Sequence, residues 1–574
     1  MTQENCAIKR IPLLRKKEKF KMVKNKKIQK IALFALSSAL IGSFAAMPAM
    51  ANNPTTPGTG DVVIENIDSQ STGFIGYQIF QATKNEDGSL SNFDWVSNSV
   101  RDIVVNAIKA ADASYTSDNA QDAAEYLSKA YNGTTDQTTI LDADSLLTKI
   151  ARALYASDIT STSIPAGTAT TLAEGYWLAW SNKDDISTDE AGTSPIYLIA
   201  GGEEVTINEK TGIPTIEKLV LNDADGAEYG VVADAERGQK VSYQITGTMP
   251  ENLTSFTSYY YQFIDDMPEG MDLDVDSVKV EVQEGTSTVD VTSAFTAAYD
   301  EASHDLTVTC DDVRAINAVT ITKDSKFILS YQASLNDDCV VGADGNINSV
   351  KLQYSSNPAD ASEKTFTTIK SNYLYTYMLH IEKKDRDTNV ALEGAKFTIQ
   401  ATTPDDAAST GLYVQEDGTL GTNAYEFTTN ADGIIEIDGL DVGTYTVKET
   451  AAPDGYAYIT QDTTVTIGAT YDATGVLNAM TNVVANNADA TAGIDTILDV
   501  DANGNKKNIV QGDENTGVDV TAAKANITIG NIQKINMPLS GQTGILTTIL
   551  IGCGVIGGSA AVLVVAKKKK KTEA

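Results

Sequence analysis

The sequence predicts a mainly β protein, in which two tandem β-sandwich domains follow a mixed α/β N-terminal domain. From about residue 212 onward, short apolar-alternating segments are separated by Gly, Asn, Asp and Pro turns, a texture typical of β-sandwiches. Between residues 61 and 211, strand-like alternation is mixed with the three- and four-residue apolar spacing of helices. The polar stretch of residues 355–364 divides the β-rich part in two.

The N-terminus has the pattern of an export signal. A long basic stretch precedes an apolar run from Ile31 to about Ala46, and Ala49-Met50-Ala51 supplies a small-x-small cleavage site. The alternative is a retained membrane anchor, but the apolar run is short and Pro48 interrupts it. We therefore expect residues 1–51 to be a signal peptide that is removed, followed by a Pro/Gly/Thr linker over residues 53–60.

The first folded domain, assigned to residues 52–211, should combine strands with helices. Strands alternate side chains between two faces, whereas amphipathic helices repeat apolar residues every three or four positions. On this basis we expect strands over Val62–Ile67, Gly76–Ala82 and Tyr197–Ile207, and helices over Val100–Ala111 and Leu146–Leu154.

Two β-sandwiches should follow, the first over residues 212–372 and the second over residues 373–536. Residues 485–517 are acidic, rich in Asn and poor in large apolar residues, so we expect an extended insertion there. Within it, the segment from Asp499 to Gly504 matches the opening of a calcium loop, but Val510 stands at the twelfth position in place of Glu. An Asx-rich turn explains the same residues, so no metal site is assigned.

The C-terminus combines a short motif with a membrane-spanning pattern. Met537-Pro538-Leu539-Ser540-Gly541 precedes an apolar stretch from Ile545 to Ala566, and lysines 567–571 follow. The stretch is long enough to cross a bilayer core of about 30 Å, and the lysines hold its end in the cytoplasm. The whole arrangement resembles a sortase cell-wall sorting signal, in which a sortase would cut between Ser540 and Gly541. Met537 and Ser540 depart from the usual Leu-Pro-x-Thr-Gly, which leaves open which sortase reads it.

Composition argues against several functional classes. The formal net charge is −34, and residues 52–541 alone carry 27 basic and 74 acidic residues, which argues against nucleic-acid binding. The chain has only two histidines and no Cys or His cluster at metal-ligand spacing, so zinc chemistry, histidine-dependent triads and cofactors are not expected. Cys310 and Cys339 could pair as a disulfide or remain as two buried thiols, and the sequence leaves both readings open.

Two lysines fall on the apolar faces of predicted strands, and acids and asparagines are placed in the same way. Since strand side chains alternate, an i±2 neighbour shares a face. The shared faces are Lys218 with Ile216 and Val220, Lys383 with Leu379 and Ile381, Asp265 with Tyr261 and Phe263, Glu449 with Tyr445 and Val447, Asn348 with Val350 and Leu352, and Asn531 with Ile527 and Ile529.

Lysine, acid and asparagine in one apolar pocket form a reactive set. Burial lowers the pKa of the lysine and raises that of the acid, so a neutral amine can face a protonated carboxyl. The amine can then attack the asparagine carboxamide while the acid moves protons, and ammonia leaves. This self-modification happens once per domain and is not enzymatic turnover. The alternative is an unreacted buried ion pair hydrogen-bonded to asparagine.

Several motifs carry a resemblance to a known family. Gly212 to Lys218, Asp265 ahead of Met267-Pro268-Glu269-Gly270, and Gly345 to Ser355 resemble the middle domain of isopeptide-forming fimbrial shaft subunits, the SpaA/FimA-like major pilins. Residues 383–397, 431–433 and 449–456 are similar to the Cna-B-type, Ig-like domain that follows it there. The resemblance implies Lys218–Asn348 and Lys383–Asn531 bonds, assisted by Asp265 and Glu449. Asn346 has the same strand parity as Asn348 and stays open as the partner of Lys218.

A third lysine, Lys210, lies on the face opposite Val205 and Ile207, so we expect it to be exposed. In the resembled family, this position holds the lysine that captures a sortase acyl-enzyme, although the family's Tyr-Pro-Lys motif is absent here. The resemblance thus implies a polymer bond from Lys210 of one subunit to Ser540 of the next.

The resemblance implies a secreted, wall-anchored surface fimbria and not an enzyme. Its implied partners are pilin-class and housekeeping sortases, other copies of the chain and peptidoglycan, with room for accessory pilins and host surface ligands in cell adhesion. The alternative is a host-binding adhesin anchored singly to the wall, which would share every feature except a use for Lys210.

Overall fold

The computed structural model describes residues 58–67, 70–130, 139–224, 226–460, 462–486, 492–493, 497–500, 506–509, 518–519 and 522–534. Within these ranges the chain is mainly β, and three α-helices occur near its start. Three successive units can be distinguished, an N-terminal domain with helices and two β-sandwiches, which confirms the predicted fold class.

The N-terminal domain contains two sheets and three helices. One sheet has the strand order β5-β1-β8, and the other has the order β3-β2-β6-β7, with β4 paired to β2. Its elements are β1 (Thr59–Glu65), β2 (Phe74–Lys84), β3 (Leu90–Trp95), α1 (Asn98–Ala111), α2 (Ala120–Ala130), α3 (Leu146–Tyr155), β4 (Thr162–Ile164), β5 (Thr170–Ala173), β6 (Gly175–Ser181), β7 (Ile196–Ala200) and β8 (Gly202–Asn208).

Helix α1 begins where Ser97 accepts a hydrogen bond from the Val100 backbone N–H, and Ser145 caps α3 through the N–H of Thr148. Such caps satisfy one of the unpaired N–H groups of a first helical turn. The expected single strand over Tyr197–Ile207 is wrong. Gly201 and Gly202 have φ of 132° and 70°, a left-handed backbone that interrupts the strand and sends β7 and β8 to different sheets.

The middle sandwich consists of strands β9 to β21 in two facing sheets. One sheet has the order β10-β9-β12-β18-β14-β15, and the other has the order β11-β21-β19-β13-β17-β16, with β20 on β19. The strands are β9 (Ile216–Leu221), β10 (Tyr229–Gly230), β11 (Val232–Asp234), β12 (Lys240–Thr248), β13 (Tyr261–Asp266), β14 (Met271–Glu284), β15 (Ser287–Asp290), β16 (Thr296–Asp300), β17 (Asp305–Cys310), β18 (Lys326–Leu335), β19 (Asn346–Ser355), β20 (Lys364–Phe366) and β21 (Lys370–Tyr375).

The C-terminal sandwich consists of strands β22 to β35. Its sheets have the orders β27-β22-β35-β31, with β34 on β35, and β25-β24-β23-β28-β29-β30, with β26 on β23; β32 and β33 form a separate hairpin. The strands are β22 (Tyr377–Asp385), β23 (Lys396–Pro404), β24 (Tyr413–Val414), β25 (Leu420–Gly421), β26 (Phe427–Thr428), β27 (Ile434–Leu440), β28 (Gly443–Ala451), β29 (Thr463–Tyr471), β30 (Leu477–Asn486), β31 (Ala492–Gly493), β32 (Ile497–Val500), β33 (Lys506–Ile509), β34 (Val518–Asp519) and β35 (Lys524–Asn531).

Alternating burial builds the cores of both sandwiches. In β18, for example, Phe327, Leu329, Tyr331, Ala333 and Leu335 all point inward, while the residues between them are exposed or half-buried. The same two-residue period governs β9, β13, β19 and β22. A polar residue at an inward position of these strands is therefore placed in the space between two sheets.

No helix among the described residues is long and apolar enough to span a membrane. The predicted signal peptide, the predicted sorting motif Met537–Gly541 and the apolar stretch of residues 545–566 all lie outside the described residues. So do most of the predicted insertion and residues 501–504 of the calcium-like segment.

Candidate functional site

The first cluster of interest lies between the two sheets of the middle sandwich. Lys218 occupies an inward position of β9, and its side chain is fully buried. Its Nζ donates to Asp265 Oδ1 of β13 at 2.5 Å and to Asn348 Oδ1 of β19 at 2.6 Å. The structure thus brings together the three side chains that alternation assigns to inward faces. We call this group the middle triad.

Tyr331 on β18 completes the middle triad's hydrogen bonding. Its hydroxyl donates to Asp265 Oδ2 at 2.9 Å and accepts from Asn348 Nδ2 at 2.8 Å, and it lies 3.2 Å from Lys218 Nζ. The ring stacks on Tyr243 with centroids 5.1 Å apart, and Lys218 Nζ lies 5.7 Å from the Tyr243 centroid. Tyr331 is not among the site residues predicted from the sequence, although its inward position on β18 follows from the same alternation.

Burial controls the charges of the middle triad. Removal from water lowers the pKa of Lys218 to about 8, although the Asp265 carboxylate opposes this shift. Burial also raises the pKa of Asp265, against the lowering effect of the Lys218 amine and the Tyr331 hydroxyl. Both shifts favour the uncharged forms, so they lower the free-energy cost of placing a neutral amine beside a protonated carboxyl.

The two candidate asparagines of β19 make different contacts. Asn346 donates to the carbonyl oxygens of Val340 and Leu374 and accepts from the Val340 backbone N–H. Its amide therefore fastens the loop before β19 to β21. The amide of Asn348 instead contacts Lys218, so the geometry favours Asn348 as the partner of that lysine.

A second cluster, which we call the C-terminal triad, lies inside the C-terminal sandwich. Lys383 of β22 is fully buried, and its Nζ donates to Oδ1 of Asn531 on β35. Glu449 of β28, in the facing sheet, lies 3.3 Å from Lys383 Nζ and accepts from Asn531 Nδ2 at 3.0 Å. Asn531 Nδ2 also donates to the Ala457 carbonyl oxygen at 3.1 Å, which holds the carboxamide in one orientation.

The C-terminal triad shares the chemistry of the middle triad with a different strand arrangement. Burial lowers the pKa of Lys383 to about 8, and Glu449 opposes the shift. Strands β22 and β35 are parallel neighbours in one sheet, with Asp385 opposite Asn531, whereas Lys218 and Asn348 lie on facing sheets. Glu449 is held in turn by the Ile459 N–H, which donates to its Oε2 at 2.7 Å.

Lys210 differs from its expected exposure. It lies two residues beyond the end of β8 and is half-buried, and its Nζ donates to the Thr139 carbonyl oxygen at 3.0 Å. Strand parity does not extend past the end of a strand, which is why the alternation argument fails here. Its backbone N–H donates to Thr193 Oγ1 at 2.8 Å, so the segment is fixed against the N-terminal domain.

The two cysteines among the described residues are free thiols in the structure. Cys310 is buried at the end of β17, while half-buried Cys339 lies 3.5 Å from an Arg237 guanidinium nitrogen. Of the two readings that the sequence left open, the structure therefore supports the unpaired thiols and not the disulfide.

Comparison with known proteins identifies the two sandwiches. Residues 237–358 match the family described as Gram-positive pilin backbone subunit 2, Cna-B-like domain. Residues 378–480 match the SpaA prealbumin-like fold domain. The trypsin-resistant surface T6 protein of Streptococcus pyogenes serotype M6 is 24% identical over 277 residues, which cover 45% of this chain and 46% of that relative. The match thus spans about half the length of the relative.

Two solved structures are similar to this chain, and the first of them shows a similar fold. The T6 backbone pilin of serotype M6 Streptococcus pyogenes aligns with a TM-score of 0.50 at 18% identity, covering 84% of this chain and all of that one. The major pilin SpaD of Corynebacterium diphtheriae aligns with a TM-score of 0.43 at 15% identity, covering 83% and 98% of the two chains. The middle sandwich thus contains the match to the Gram-positive pilin backbone model, and the C-terminal sandwich contains the match to the SpaA prealbumin-like model.

Proposed function

We propose that this chain is the shaft subunit of a covalent surface pilus, and that each sandwich is closed by one internal Lys–Asn isopeptide bond. The observation that carries the proposal is the pair of buried triads, in which a lysine amine contacts an asparagine amide beside a carboxyl group. A buried lysine that stays charged is costly, whereas an amide bond removes the charge altogether.

The chemistry in the middle triad follows from its contacts. The Lys218 amine attacks Asn348 Cγ, a C–N bond forms, and the bond from Cγ to Nδ2 breaks as ammonia leaves. The protonated Asp265 carboxyl donates its proton toward the departing nitrogen and takes one from the attacking amine, so it is protonated again once ammonia has left. The Tyr331 hydroxyl bridges Asp265 Oδ2 and Asn348 Nδ2, so it offers a path for that proton. Glu449 would serve the C-terminal triad in the same role through its contacts with Lys383 and Asn531.

The strand positions suit a subunit that bears tension. The Lys218–Asn348 bond would join β9, the first strand of the middle sandwich, to β19, which lies near the C-terminal end of that sandwich in sequence. The Lys383–Asn531 bond would join β22 and β35, the first and last strands of the C-terminal sandwich. Force entering at one end of each sandwich would then pass through a covalent bond to the other end without unfolding the sheets between them.

Assembly would use the chain ends. A pilin-class sortase would cleave between Ser540 and Gly541 and pass the Ser540 acyl group to Lys210 of the next subunit, releasing the sortase cysteine. The housekeeping sortase would attach the base of the fibre to peptidoglycan, which places the product outside the cell. Because Lys210 Nζ donates to the Thr139 carbonyl oxygen, the sortase must displace this hydrogen bond before the amine can react.

Two readouts on cells that carry the full chain test the proposal. Intact mass of the processed chain should be two ammonia molecules below the mass of its sequence, and a full mass would refute the crosslinks. Separately, wall extracts should contain a ladder of detergent-resistant species that disappears with Lys210→Arg but persists with Lys109→Arg, an exposed lysine on α1. A single band in the wild type would instead favour a singly anchored adhesin.

A further inference from the structure

Four aspartates converge where the middle and C-terminal sandwiches meet. Asp223 follows β9, Asp234 ends β11, Asp405 follows β23 and Asp441 follows β27. One carboxylate oxygen from each lies within 4.8 Å of those from the other three. Each sandwich therefore contributes two carboxylates to one group, which we call the aspartate junction.

No basic side chain among the described residues forms an ion pair with any of these four carboxylates. Asp234 is held by neutral donors, since Asn222 donates to Oδ1 at 2.6 Å, and Tyr377 and Tyr471 donate to Oδ2 at 3.0 and 2.6 Å. These three donors fix the Asp234 carboxylate, but none of them carries a positive charge.

Asp441 provides an independent sign of a missing partner. Only 2% of the residue is exposed, and its Oδ1 accepts from the adjacent Val442 N–H at 2.7 Å. Its Oδ2 is buried and has no hydrogen-bond donor in the described part of the chain. Both carboxylate oxygens of Asp223 are buried and lack a donor there as well. Buried acceptors without a donor are rare because each costs the desolvation of a polar group.

The chemistry of the four ligand atoms and the distances between them indicate which kind of ion would bind. Carboxylate oxygens without any nitrogen or sulfur are typical of hard cations, and Ca²⁺–oxygen distances are about 2.3–2.6 Å. Two ligands on opposite sides of one Ca²⁺ ion are thus about 4.8 Å apart. None of the four oxygens is farther than this from another, so one ion of that size could contact all four. We propose that the aspartate junction binds a divalent cation of the calcium type and so clamps the middle sandwich to the C-terminal sandwich.

Neighbouring hydrogen bonds show that the aspartate junction lies at a contact between the middle and C-terminal sandwiches. Arg237 of the middle sandwich donates to the Asp417 carbonyl oxygen and to Asp438 Oδ1 of the C-terminal sandwich. Ser409 donates to Glu236 Oε1 at 2.8 Å across the same boundary. The cation would add a clamp that depends on ion concentration outside the cell, and the proposal does not depend on the isopeptide bonds.

Terbium is a suitable probe because tyrosines near a bound Tb³⁺ sensitise its luminescence, and Tyr377 and Tyr471 both contact Asp234. In the full chain, purified in a mild detergent, we expect saturable luminescence excited through tyrosine and displaced by Ca²⁺. Asp441→Asn should weaken Tb³⁺ binding by at least about tenfold, since a charged ligand is lost. Asp432→Asn is the control. Asp432 is exposed and lies before the start of β27, whereas Asp441 follows the end of β27, which is roughly 25 Å from Asp432.

Thermal melting distinguishes a ligand role from a purely structural one. In EDTA, Asp441→Asn should melt at a higher temperature than the wild type, because the substitution removes a buried carboxyl group that lies beside three other carboxyl groups and lacks a donor at Oδ2. In Ca²⁺ the wild type should gain stability and the variant should not. Equal Tb³⁺ binding by wild type and variant, or an absence of saturable binding to the wild type, would overturn the proposal. If Asp441→Asn fails to fold, the same measurements on half-buried Asp223→Asn decide the question.

Discussion

Replacing Asn348 by Ala tests the middle crosslink at its acceptor. Asn348 Oδ1 contacts the Lys218 amine, whereas Asn346 on the same strand and face bonds only to backbone groups of Val340 and Leu374. Asn348→Ala should therefore abolish the bond, and Asn346→Ala should leave it intact. Both asparagines are buried, so the two variants are matched in position and in the side chain removed.

The expected effect can be worked from the length of the closed loop. Lys218 and Asn348 are 130 positions apart. The chain-entropy relation used for disulfides gives about 5 kcal/mol for a loop of that length at 25 °C. For a domain of this size, about 1 kcal/mol shifts Tm by roughly 2–4 °C, so loss of the bond should lower the transition of the middle sandwich by about 10–20 °C.

Calorimetry and intact mass on the same preparations provide the assay. Asn348→Ala should lose one of the two ammonia deficits and show the lowered transition, since the amide and the crosslink disappear together. Asn346→Ala should keep both ammonia deficits, although the loss of its backbone contacts lowers stability modestly. If Asn348→Ala retained both deficits, or Asn346→Ala lost one, the assignment of Asn348 would be refuted.

Three further predictions follow from other contacts. Tyr331→Phe should slow the loss of ammonia from the middle triad, measured by pulse-chase mass spectrometry. The control Tyr243→Phe, which loses a hydroxyl near Met271, should not slow it. Equal rates in the two variants would exclude Tyr331 as the proton path. Glu449→Gln should cost one ammonia deficit by intact mass, and exposed Glu436→Gln none. Burial raises the pKa of Glu190, but hydrogen-bond donors of Ser187 and Ser71 outweigh it and lower the pKa to about 2. The wild type should therefore have a higher free energy of unfolding than Glu190→Gln, with the full difference above about pH 4.5 and a shrinking difference toward pH 2. Unfolding measured as a function of pH checks this. A constant advantage would contradict that last assignment.

Much of the candidate site could be anticipated from local pattern. Alternation within β9 and β22 places Lys218 and Lys383 among apolar neighbours, and both are fully buried in the structure. The same rule works for Asp265, Glu449, Asn348 and Asn531 because all lie within regular strands. The period of a strand is a local property, so it can be read without knowing which strands pair.

Features outside regular strands were harder to predict from the sequence. Lys210 lies beyond β8, where parity no longer applies, and its amine contacts Thr139 in a distant loop. The strand expected over Tyr197–Ile207 divides at two glycines that adopt positive φ. Alternation also could not distinguish Asn346 from Asn348 as the partner of Lys218, because the two share a face of β19. The tertiary contacts distinguish them, since the Asn348 amide contacts Lys218 and the Asn346 amide contacts the backbone of Leu374.

Local pattern thus determined which residues point inward and the order of the units, while the signal peptide and the sorting signal stay predictions. The sheet-to-sheet packing decided which inward groups meet, including Tyr331 from β18 and the four aspartates of the junction, which come from four separate segments of the chain. The reason is physical: the direction of a side chain depends on the backbone dihedrals of its own strand, whereas its neighbours depend on loops and pairings hundreds of residues apart in sequence.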